Sequence, residues 1–369
     1  MKIIRYNLCL LLLGVTLTAN SAELEIQLYN FPSDGTLVFQ VYDTPDSFGD
    51  FRAPAQHLKM PANDSGRYLI PEIDAGVIAV VVFHDENENG RMDRNFIGIP
   101  KELVGISNNY RPKGPPNFQL ASISVGEMET SRQEIEMFQI LGKRGQIGVG
   151  VGVIGKTSPY LNSNNSSYQV IPAISYLGER LQIFGPNLQF GIFGTGDFRL
   201  ALSATYRIAS YDENDSDVLA GLGDRKSTLM AGLSMIYEWQ NGIELEATYR
   251  HDVLDKIGGG IAELGLSRGF QFESVRVSPE ISMTWMSKKI SNHDFGVPDF
   301  ASTIDRPAYD TGSTVIPGFG ISSFVDLSEK WQLILNLKGE ALPNKITSSP
   351  IVGDDLIFSG NAILAYVFL

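Results

Sequence analysis

The feature that most constrains the fold is the segment 227–250, where two runs of alternating polarity are joined by Asn241-Gly242. Asn-Gly is the dipeptide best suited to a two-residue hairpin turn. One face of this hairpin is apolar and has aromatic residues beside the turn: Leu229, Ala231, Leu233, Met235, Tyr237, Trp239, Ile243, Leu245, Ala247 and Tyr249. A membrane-spanning hairpin has this pattern, with the aromatic residues in the interfacial girdle. Strands of a soluble sandwich also alternate, so the rest of the chain has to distinguish the two.

Further amphipathic runs follow throughout residues 141–369. Twelve lie near 146–155, 167–178, 180–185, 187–193, 197–209, 228–240, 243–251, 258–268, 270–286, 314–325, 330–341 and 357–368. Short turns are expected at Gly178-Glu179, Asn241-Gly242, Arg268-Gly269 and Leu327–Glu329, and long loops at 156–166, 211–227, 287–313 and 342–356. An even strand number and this alternation of turns and loops are typical of outer-membrane barrels. Ten strands is the alternative, because Gly185-Pro186 divides a region that could be a single strand.

Charged side chains fall on the face opposite the apolar one, where they would line a lumen: Arg199, Arg207, Glu244, Glu246, Arg250, Arg276, Glu280, Lys338 and Glu340. On the lipid face such charges would cost roughly 2–4 kcal/mol each. Because both signs are present, the set fits a narrow polar channel or a salt-bridged plug.

The first 22 residues have the physical pattern of a secretory signal peptide. Lys2 and Arg5 precede an apolar run, and small and polar residues follow as far as Ala22, so the mature chain is expected to begin at Glu23. Cys9, the only cysteine, lies in this segment, and the mature chain would have no disulfide. No later apolar run reaches the roughly 18 residues that a transmembrane helix needs. The net charge of −13 argues against nucleic acid as a partner.

Residues 23–140 have short β-prone runs separated by Pro, Gly and Asp turns. The runs are Glu23–Tyr29, Thr36–Tyr42, Arg67–Ile70, Gly76–His84 and Ser131–Ile140. This spacing predicts a small β-sandwich domain. The polar segment 141–145, after which the composition changes, is the predicted domain boundary. The chain is therefore predicted to be all-β, with a transmembrane antiparallel barrel of about 12 strands at 141–369 preceded by this periplasmic sandwich.

Oxygen-bearing side chains alternate in one loop of this domain, before a glycine. Asp85, Asn87, Asn89 and Asp93, with the Arg91 carbonyl, occupy the positions of the first nine residues of a calcium loop. The twelfth position, where a bidentate Glu normally completes the shell, is Phe96. Either another residue such as Glu102 closes a calcium site, or binding is weak. The alternative is an Asx-rich turn held by its own hydrogen bonds, with no cofactor.

Longer motifs carry a family resemblance. The segments 83–87, 96–109 and 115–118 contain the strings FHDEN, FIGIPKELVGISNN and PPNF. Residues 23–140 thereby resemble the domain-of-unknown-function family 2141, which implies a periplasmic β-sandwich and no chemistry. His84 and Lys101 are interpreted as structural residues, and no active site is assigned.

Residues 141–369 resemble a second family. The motifs, in chain order, are Leu219–Arg225, Arg250–Val253 with Gly258–Gly260, Ser278–Glu280, Tyr309–Gly312, Ser349–Val352 and Tyr366–Phe368. They are similar to those of the MipA/OmpV family of outer-membrane proteins. The resemblance implies a scaffold between murein-synthesising and murein-hydrolysing enzymes, and some members are porin-like.

The predicted function is therefore non-enzymatic: an outer-membrane barrel of a Gram-negative cell that links the membrane to periplasmic murein-remodelling enzymes. A narrow porin-like channel is the alternative, and an outer-membrane hydrolase is a remote one, because His251 stands alone and no Gly-x-Ser-x-Gly motif occurs. Expected partners are membrane lipid, lipopolysaccharide, the barrel-assembly machinery, which would recognise a terminal strand ending near Phe368, and murein hydrolases or synthases.

Overall fold

A computed structural model describes residues 22–96, 98–126, 130–142, 145–163, 167–194, 197–272, 274–328 and 330–368. The predicted signal peptide lies outside these residues except for Ala22, which begins the first strand. Within these ranges, helices are too short or too polar to cross a membrane.

The N-terminal part is built from short strands. They are β1 (Ala22–Tyr29), β2 (Thr36–Tyr42), β3 (Gln56–Pro61), β4 (Arg67–Ile73), β5 (Gly76–Asp85), β6 (Val104–Ile106), β7 (Ile123–Val125) and β8 (Thr130–Glu136). One sheet has the order β4-β1-β8, in which β1 and β8 run parallel. The other has the order β3-β2-β5-β6, and β7 also pairs with β5. The expected closing strand is shorter than predicted, since it ends at Glu136.

The two sheets pack face to face, as expected for a sandwich. Leu24 and Ile26 of the first sheet lie in one buried cluster with Phe39 and Val82 of the second. The strands β2 and β5 are apolar on both faces because a second cluster covers their other side. Two short helices, α1 (Pro45–Gly49) and α2 (Phe118–Ala121), supply Phe48 and Phe118 to this second cluster. A single-turn 3₁₀ helix at Ser107–Asn109 lies between β6 and α2.

The remaining strands form one closed sheet. They are β9 (Gln146–Lys156), β10 (Ser167–Leu177), β11 (Leu181–Phe184), β12 (Asn187–Phe193), β13 (Phe198–Arg207), β14 (Thr228–Glu238), β15 (Ile243–Asp252), β16 (Gly260–Arg268), β17 (Phe270–Phe272), β18 (Val275–Met286), β19 (Thr314–Asp326), β20 (Trp331–Ala341) and β21 (Leu356–Val367). Each strand is antiparallel to its neighbours, and β21 pairs with β9 to close the barrel.

The barrel has twelve strands, because β16 and β17 pair with β18 in one continuous register and form a single strand. The prediction of twelve is confirmed, and Gly185-Pro186 is the turn between β11 and β12. The predicted turn at Arg268-Gly269 is wrong. The alternation continues through Gly269 as far as Phe272, and glycine is tolerated within a strand where another group approaches closely. Here the Arg276 side chain lies against Gly269, and the chain reverses only after Phe272.

The two ends of the barrel differ. At the end called the turn end, the chain enters at 145 and neighbouring strands are joined by short connections, including 239–242 and 327–330. At the opposite, loop end, the long segments 157–166, 208–227, 287–313 and 342–355 connect the strands. These segments carry α3 (Lys288–Phe295), α4 (Asn344–Thr347) and 3₁₀ turns at Glu213–Asp215 and Asp299–Ala301.

The outer face of the barrel is apolar, as the alternation predicts. Exposed side chains include Leu202, Leu233, Met235, Leu264, Ile281, Met283, Val315, Leu337 and Leu364. Aromatic rings lie next to one another near the turn end, with centroids 4.9 Å apart for Tyr237 and Trp239 and 5.3 Å apart for Trp331 and Tyr366. An apolar band beside such a girdle is what a lipid-facing barrel requires.

Leu337 lies in the middle of β20 and is 67% exposed. A substitution at this outward position tests whether the surface faces lipid. Leu337→Arg should lower the free energy of unfolding from lipid vesicles by about 2–4 kcal/mol, because the guanidinium would be buried in hydrocarbon. Leu254→Arg is the matched control, since Leu254 is 50% exposed in the loop after β15. Equal unfolding midpoints in denaturant for the two variants would contradict a lipid-facing β20.

Candidate functional site

The N-terminal sandwich contacts the turn end of the barrel through three segments. The first contains α1 and continues to Arg52, the second is 94–100, and the third is the proline-containing loop 110–116. The first and third touch the rim: a Cβ atom at Gly49 would lie 2.5 Å from Cβ of Gln271, and one at Gly114 would lie 2.6 Å from Nε2 of Gln332. The second enters the barrel.

The segment 94–100, called the plug hairpin from here on, is a tight reversal of the chain. The backbone amide of Asn95 donates to the Ile99 carbonyl at 2.8 Å, and Arg94 pairs with Pro100. The Asn95 side chain accepts from the Ile99 amide at 2.9 Å. These bonds satisfy the backbone groups that a short reversal would otherwise leave unpaired inside the barrel.

Phe96 carries the apolar contact between the plug hairpin and the barrel wall. Its side chain is 4% exposed and lies in a cluster with the lumen residues Ala201 and Ile236. A Cβ atom added at Gly191 of β12 would collide with the Phe96 ring, so this glycine provides the space that the ring occupies. Arg199 donates to the Phe96 carbonyl at 3.4 Å.

Ion pairs tie the domain to the rim of the barrel. Arg52 pairs with Glu238 and donates to the Trp239 carbonyl at 3.0 Å. Asp50 pairs with Arg276 at 2.6 Å, and Arg94 of the plug hairpin donates to the Asp50 carbonyl at 2.5 Å. Partly buried pairs that also contact carbonyls are better satisfied than isolated surface pairs, so they fix the orientation of the domain.

The charges predicted to line the lumen do so, and several form ion pairs with one another or with neighbouring residues of the barrel. Arg199 contacts Glu238 at 3.1 Å and Glu244 at 2.6 Å. The other pairs are Arg250 with Glu263 at 2.5 Å and Lys338 with Glu340 at 3.0 Å. A cavity of about 930 Å³ remains between the plug hairpin and these side chains, and both the sandwich and the barrel line it.

The loop end of the barrel is covered by its own long loops. Tyr160, Leu219, Phe295, Ile346 and Ile351 come from four different loops and lie in one buried cluster. We call this cluster the outer lid, and its full membership is Tyr160, Tyr211, Leu219, Leu222, Phe295, Val297, Ala301, Ile316, Leu342, Ile346, Ile351, Val352 and Ile357. Such a set has the composition of a small hydrophobic core, so the loops pack as a unit above the lumen.

Polar contacts link the outer lid to the barrel wall. Asp294 of α3 is buried and pairs with Arg207 of β13, and Tyr160 donates to the Asp294 carbonyl at 3.2 Å. Burial raises the pKa of Asp294, but the charges of Arg207, His293 and Lys156 outweigh that effect and hold the pKa at about 2. Arg306 donates to the carbonyls of Val218 and Ala220, which joins two of the loops.

The five residues of the predicted calcium loop lie together at the base of the plug hairpin. Asp85 accepts hydrogen bonds from the amides of Asn89 at 3.0 Å and Gly90 at 2.7 Å. The side-chain amides of Asn87 and Asn89 donate to Asp93 at 2.7 and 3.0 Å. Arg91 is exposed between them. An Asx-type turn would make the same bonds, so the calcium site stays a prediction.

Glu102 lies on the other side of this base. Its Oε2 accepts from the Asp93 amide at 3.0 Å, and the side chain is buried. The pKa of Glu102 is raised to about 7, mainly by burial. The negative charges of Asp93 and Asp85 also raise it, and the amides of Asp93 and Glu86 lower it. Phe96, which stands where a calcium loop would have its last ligand, points instead into the barrel.

The histidines that could suggest a hydrolase have structural partners. His251 lies 3.2 Å from the Tyr249 hydroxyl, and His84 lies 3.2 Å from the Asp34 carbonyl. His293 contacts Asp294 at 3.0 Å through Nδ1 and accepts from the Lys226 amide through Nε2. None of these rings has a serine or cysteine side chain as its hydrogen-bond partner in the described part of the chain.

Sequence reasoning missed the residues that join the two parts. Asp50 and Arg52 belong to a polar segment with no distinguishing pattern, so their barrel partners were not predictable. Phe96 could have been noticed in the sequence, since this aromatic residue follows directly after a hydrophilic loop. Gly191 could have been noticed as well, because a glycine within a strand often marks a place where another group approaches closely.

Two comparisons with known families agree with this architecture. Residues 149–368 match the family described as MltA-interacting protein MipA. The chain belongs to the MipA/OmpV family. Residues 28–133 match a second family, described as an uncharacterized protein conserved in bacteria, DUF2141.

Individual relatives are outer-membrane proteins at moderate identity. Outer membrane protein Omp26La of Vibrio anguillarum is 25% identical over 68% of this chain and 98% of its own length. The putative outer membrane protein YiaT of Escherichia coli is 25% identical over 56% of this chain and 85% of its own length. The MltA-interacting protein of Escherichia coli is 26% identical over 56% and 83%.

Solved structures with weak overall similarity include two transport proteins. The toluene transporter TbuX of Ralstonia pickettii has a TM-score of 0.26 at 11% identity and covers 60% of this chain and 88% of its own. An anion-selective porin of Comamonas acidovorans has a TM-score of 0.24 at 8% identity and covers 91% and 97%. The relatives and the barrel together show that the protein is in the outer membrane.

The burial of Phe96 leads to a direct test of docking. Phe96→Ala should reduce the free energy of local opening of the plug hairpin by about 3–5 kcal/mol, because the substitution leaves a cavity where the ring packs against the barrel wall. Hydrogen exchange of the peptide covering 94–100 measures this change. Phe300→Ala, at a side chain 85% exposed in the loop after α3, is the control and should leave that exchange unchanged. Unchanged exchange in Phe96→Ala as well would mean that the ring does not hold the hairpin.

Proposed function

We propose that the protein is a non-conducting outer-membrane anchor that holds a sandwich domain, residues 23–140, in a fixed orientation toward periplasmic murein enzymes. The observation that carries this proposal is the rigid attachment of the domain. The pairs Arg52–Glu238 and Asp50–Arg276, with Phe96 buried in the wall, attach the sandwich to the barrel residues 141–369 at several separate points. A flexible tether would need none of them.

The exposed surface of the domain supports binding to proteins. The outward face of the β4-β1-β8 sheet combines charged side chains with Tyr29 and Leu69, which are 48% and 46% exposed. No further strand lies beside the outer strands β4 and β8 of this sheet within the described residues, and side chains of Gln56 and Asn109 bond only part of these edges. Such edges are common sites of protein recognition. One relative is itself named an MltA-interacting protein.

The narrow porin-like channel remains the second candidate, and the cavity of about 930 Å³ with its polar and charged lining favours it. Two features oppose steady conduction: the plug hairpin inside the turn end and the outer lid over the loop end. Solute passage would require both to move. A hydrolase is disfavoured because the histidines described above are engaged with structural partners.

A position-specific cross-linking experiment tests the scaffold proposal in intact cells. A photoreactive amino acid is placed in the full chain at Leu69, and at Leu254 in an external loop as the matched control. A murein hydrolase or synthase should be captured from position 69 and not from 254, because only position 69 faces the periplasm. Absence of any murein enzyme among the adducts at 69 and at the other exposed domain positions, Val77 and Leu120, would contradict the proposal.

A further inference from the structure

We propose that the loop Asp85–Asp93, completed by Glu102, binds a divalent cation of the calcium type, and that this cation fixes the base of the plug hairpin. The proposal rests on the geometry of the N-terminal domain and does not depend on the scaffold function. Its evidence comes from the two chain segments that enter and leave the hairpin.

The first observation is the shape of the loop. Asp85 is 1% exposed, and both of its oxygens accept backbone amides of the same loop, from Asn89 and Gly90. A loop that wraps a hard cation holds its first carboxylate in this way, with oxygens of later positions directed inward. Gly90 has a φ of 74°, a conformation that suits glycine at the sharp turn of such a loop.

The second observation is independent of the loop and concerns Glu102. This side chain is 4% exposed, and its oxygen Oε1 is buried with no hydrogen-bond partner of regular geometry among the described residues, the Glu86 amide being near the carboxylate without completing such a bond. The other oxygen lies 3.0 Å from the Asp93 amide, which places the carboxylate against the loop. Burying a carboxylate oxygen without a partner is unfavourable, and a cation beside it would remove that cost.

Charges of both signs surround this position, and the carboxylates outnumber the positive groups. The carboxylates of Asp93 and Asp85 lie close enough to Glu102 for their negative charges to act on it. Two groups of β3, the positive Lys59 and the titratable His57, face the same region. The described residues do not form a ready-made set of three carboxylates around a metal position. The side-chain amides of Asn87 and Asn89 at present contact Asp93, so they would have to turn their oxygens inward when the cation binds.

The position of the site gives it a structural consequence. Asp93 is the residue before the plug hairpin, and Glu102 is two residues after its end. The Asp93 carbonyl accepts from the Lys101 amide at 2.9 Å, so the two strands of the hairpin are already joined at this level. A cation between Asp93 and Glu102 would add a second link there and restrict opening of the hairpin that carries Phe96.

Calcium titration of the full chain, refolded in detergent without lipopolysaccharide and freed of metal by chelator, tests the site. Calorimetry with CaCl₂ should detect one binding event, and Glu102→Gln should weaken it on the order of tenfold or more, since one ligand charge is lost. Asp93→Asn is a second variant in case Glu102→Gln fails to fold. Glu88→Gln is the matched control, because Glu88 is an exposed residue of the same loop outside the proposed ligand set.

Hydrogen exchange of 94–100 supplies the second readout, and it should be slower with calcium than with chelator. Absence of calcium binding at millimolar concentration, or binding with equal affinity in the wild type, Glu102→Gln and Asp93→Asn, would overturn the proposed site. Binding that leaves the exchange unchanged would overturn its role at the base of the hairpin.

Discussion

Closure of the twelve-stranded sheet is the constraint on which the rest of the structure depends. A strand edge exposed to lipid would leave backbone amides and carbonyls without partners, so the last strand β21 has to pair with the first, β9. Closure in turn forces alternate residues inward. The inward positions hold the arginines and carboxylates that would be unfavourable in lipid. Each of them needs water or a polar partner in the lumen or at its mouth.

The N-terminal domain supplies some of these partners. Asp50 neutralises Arg276, Arg52 neutralises part of Glu238, and the carbonyl of Phe96 contacts Arg199. The same interface buries an aromatic ring against Gly191, so it combines charge pairing with an apolar contact. At the other end, the outer lid performs the equivalent task with the Arg207–Asp294 pair and the packed loops. The barrel is therefore blocked by the domain at the turn end and covered by its loops at the other end, which agrees better with an anchor than with an open pore.

The sequence predicted the parts of this architecture that follow from local periodicity. The twelve strands, their lipid-facing residues and the long loops were predictable because a closed sheet in lipid imposes a strict two-residue alternation. The turn at Arg268-Gly269 was misplaced because Gly269 has the composition of a turn while its neighbours continue the strand. The plug hairpin and its surroundings were not predictable, since the contacts of Arg52 and Phe96 with the barrel join residues more than 90 positions apart. The spacing of Asp85–Asp93 predicted a calcium loop with Glu102 as a candidate closing residue, and the fold places Glu102 against that loop.

The most direct test of the central claim, that the domain is fixed in the turn end of the barrel, is a disulfide trap. Cβ of Gln271 lies 2.5 Å from the position of a Cβ at Gly49, so Gly49→Cys with Gln271→Cys needs only a small relaxation to reach the roughly 3.8 Å of a disulfide. The only native cysteine, Cys9, lies in the predicted signal peptide. The protein is taken from intact cells and denatured, and its free thiols are then labelled. The 49/271 pair should be oxidised and take no label, and the Gly49→Cys/Leu254→Cys control should be reduced and labelled. Two free thiols in the 49/271 pair would contradict a domain held against the barrel.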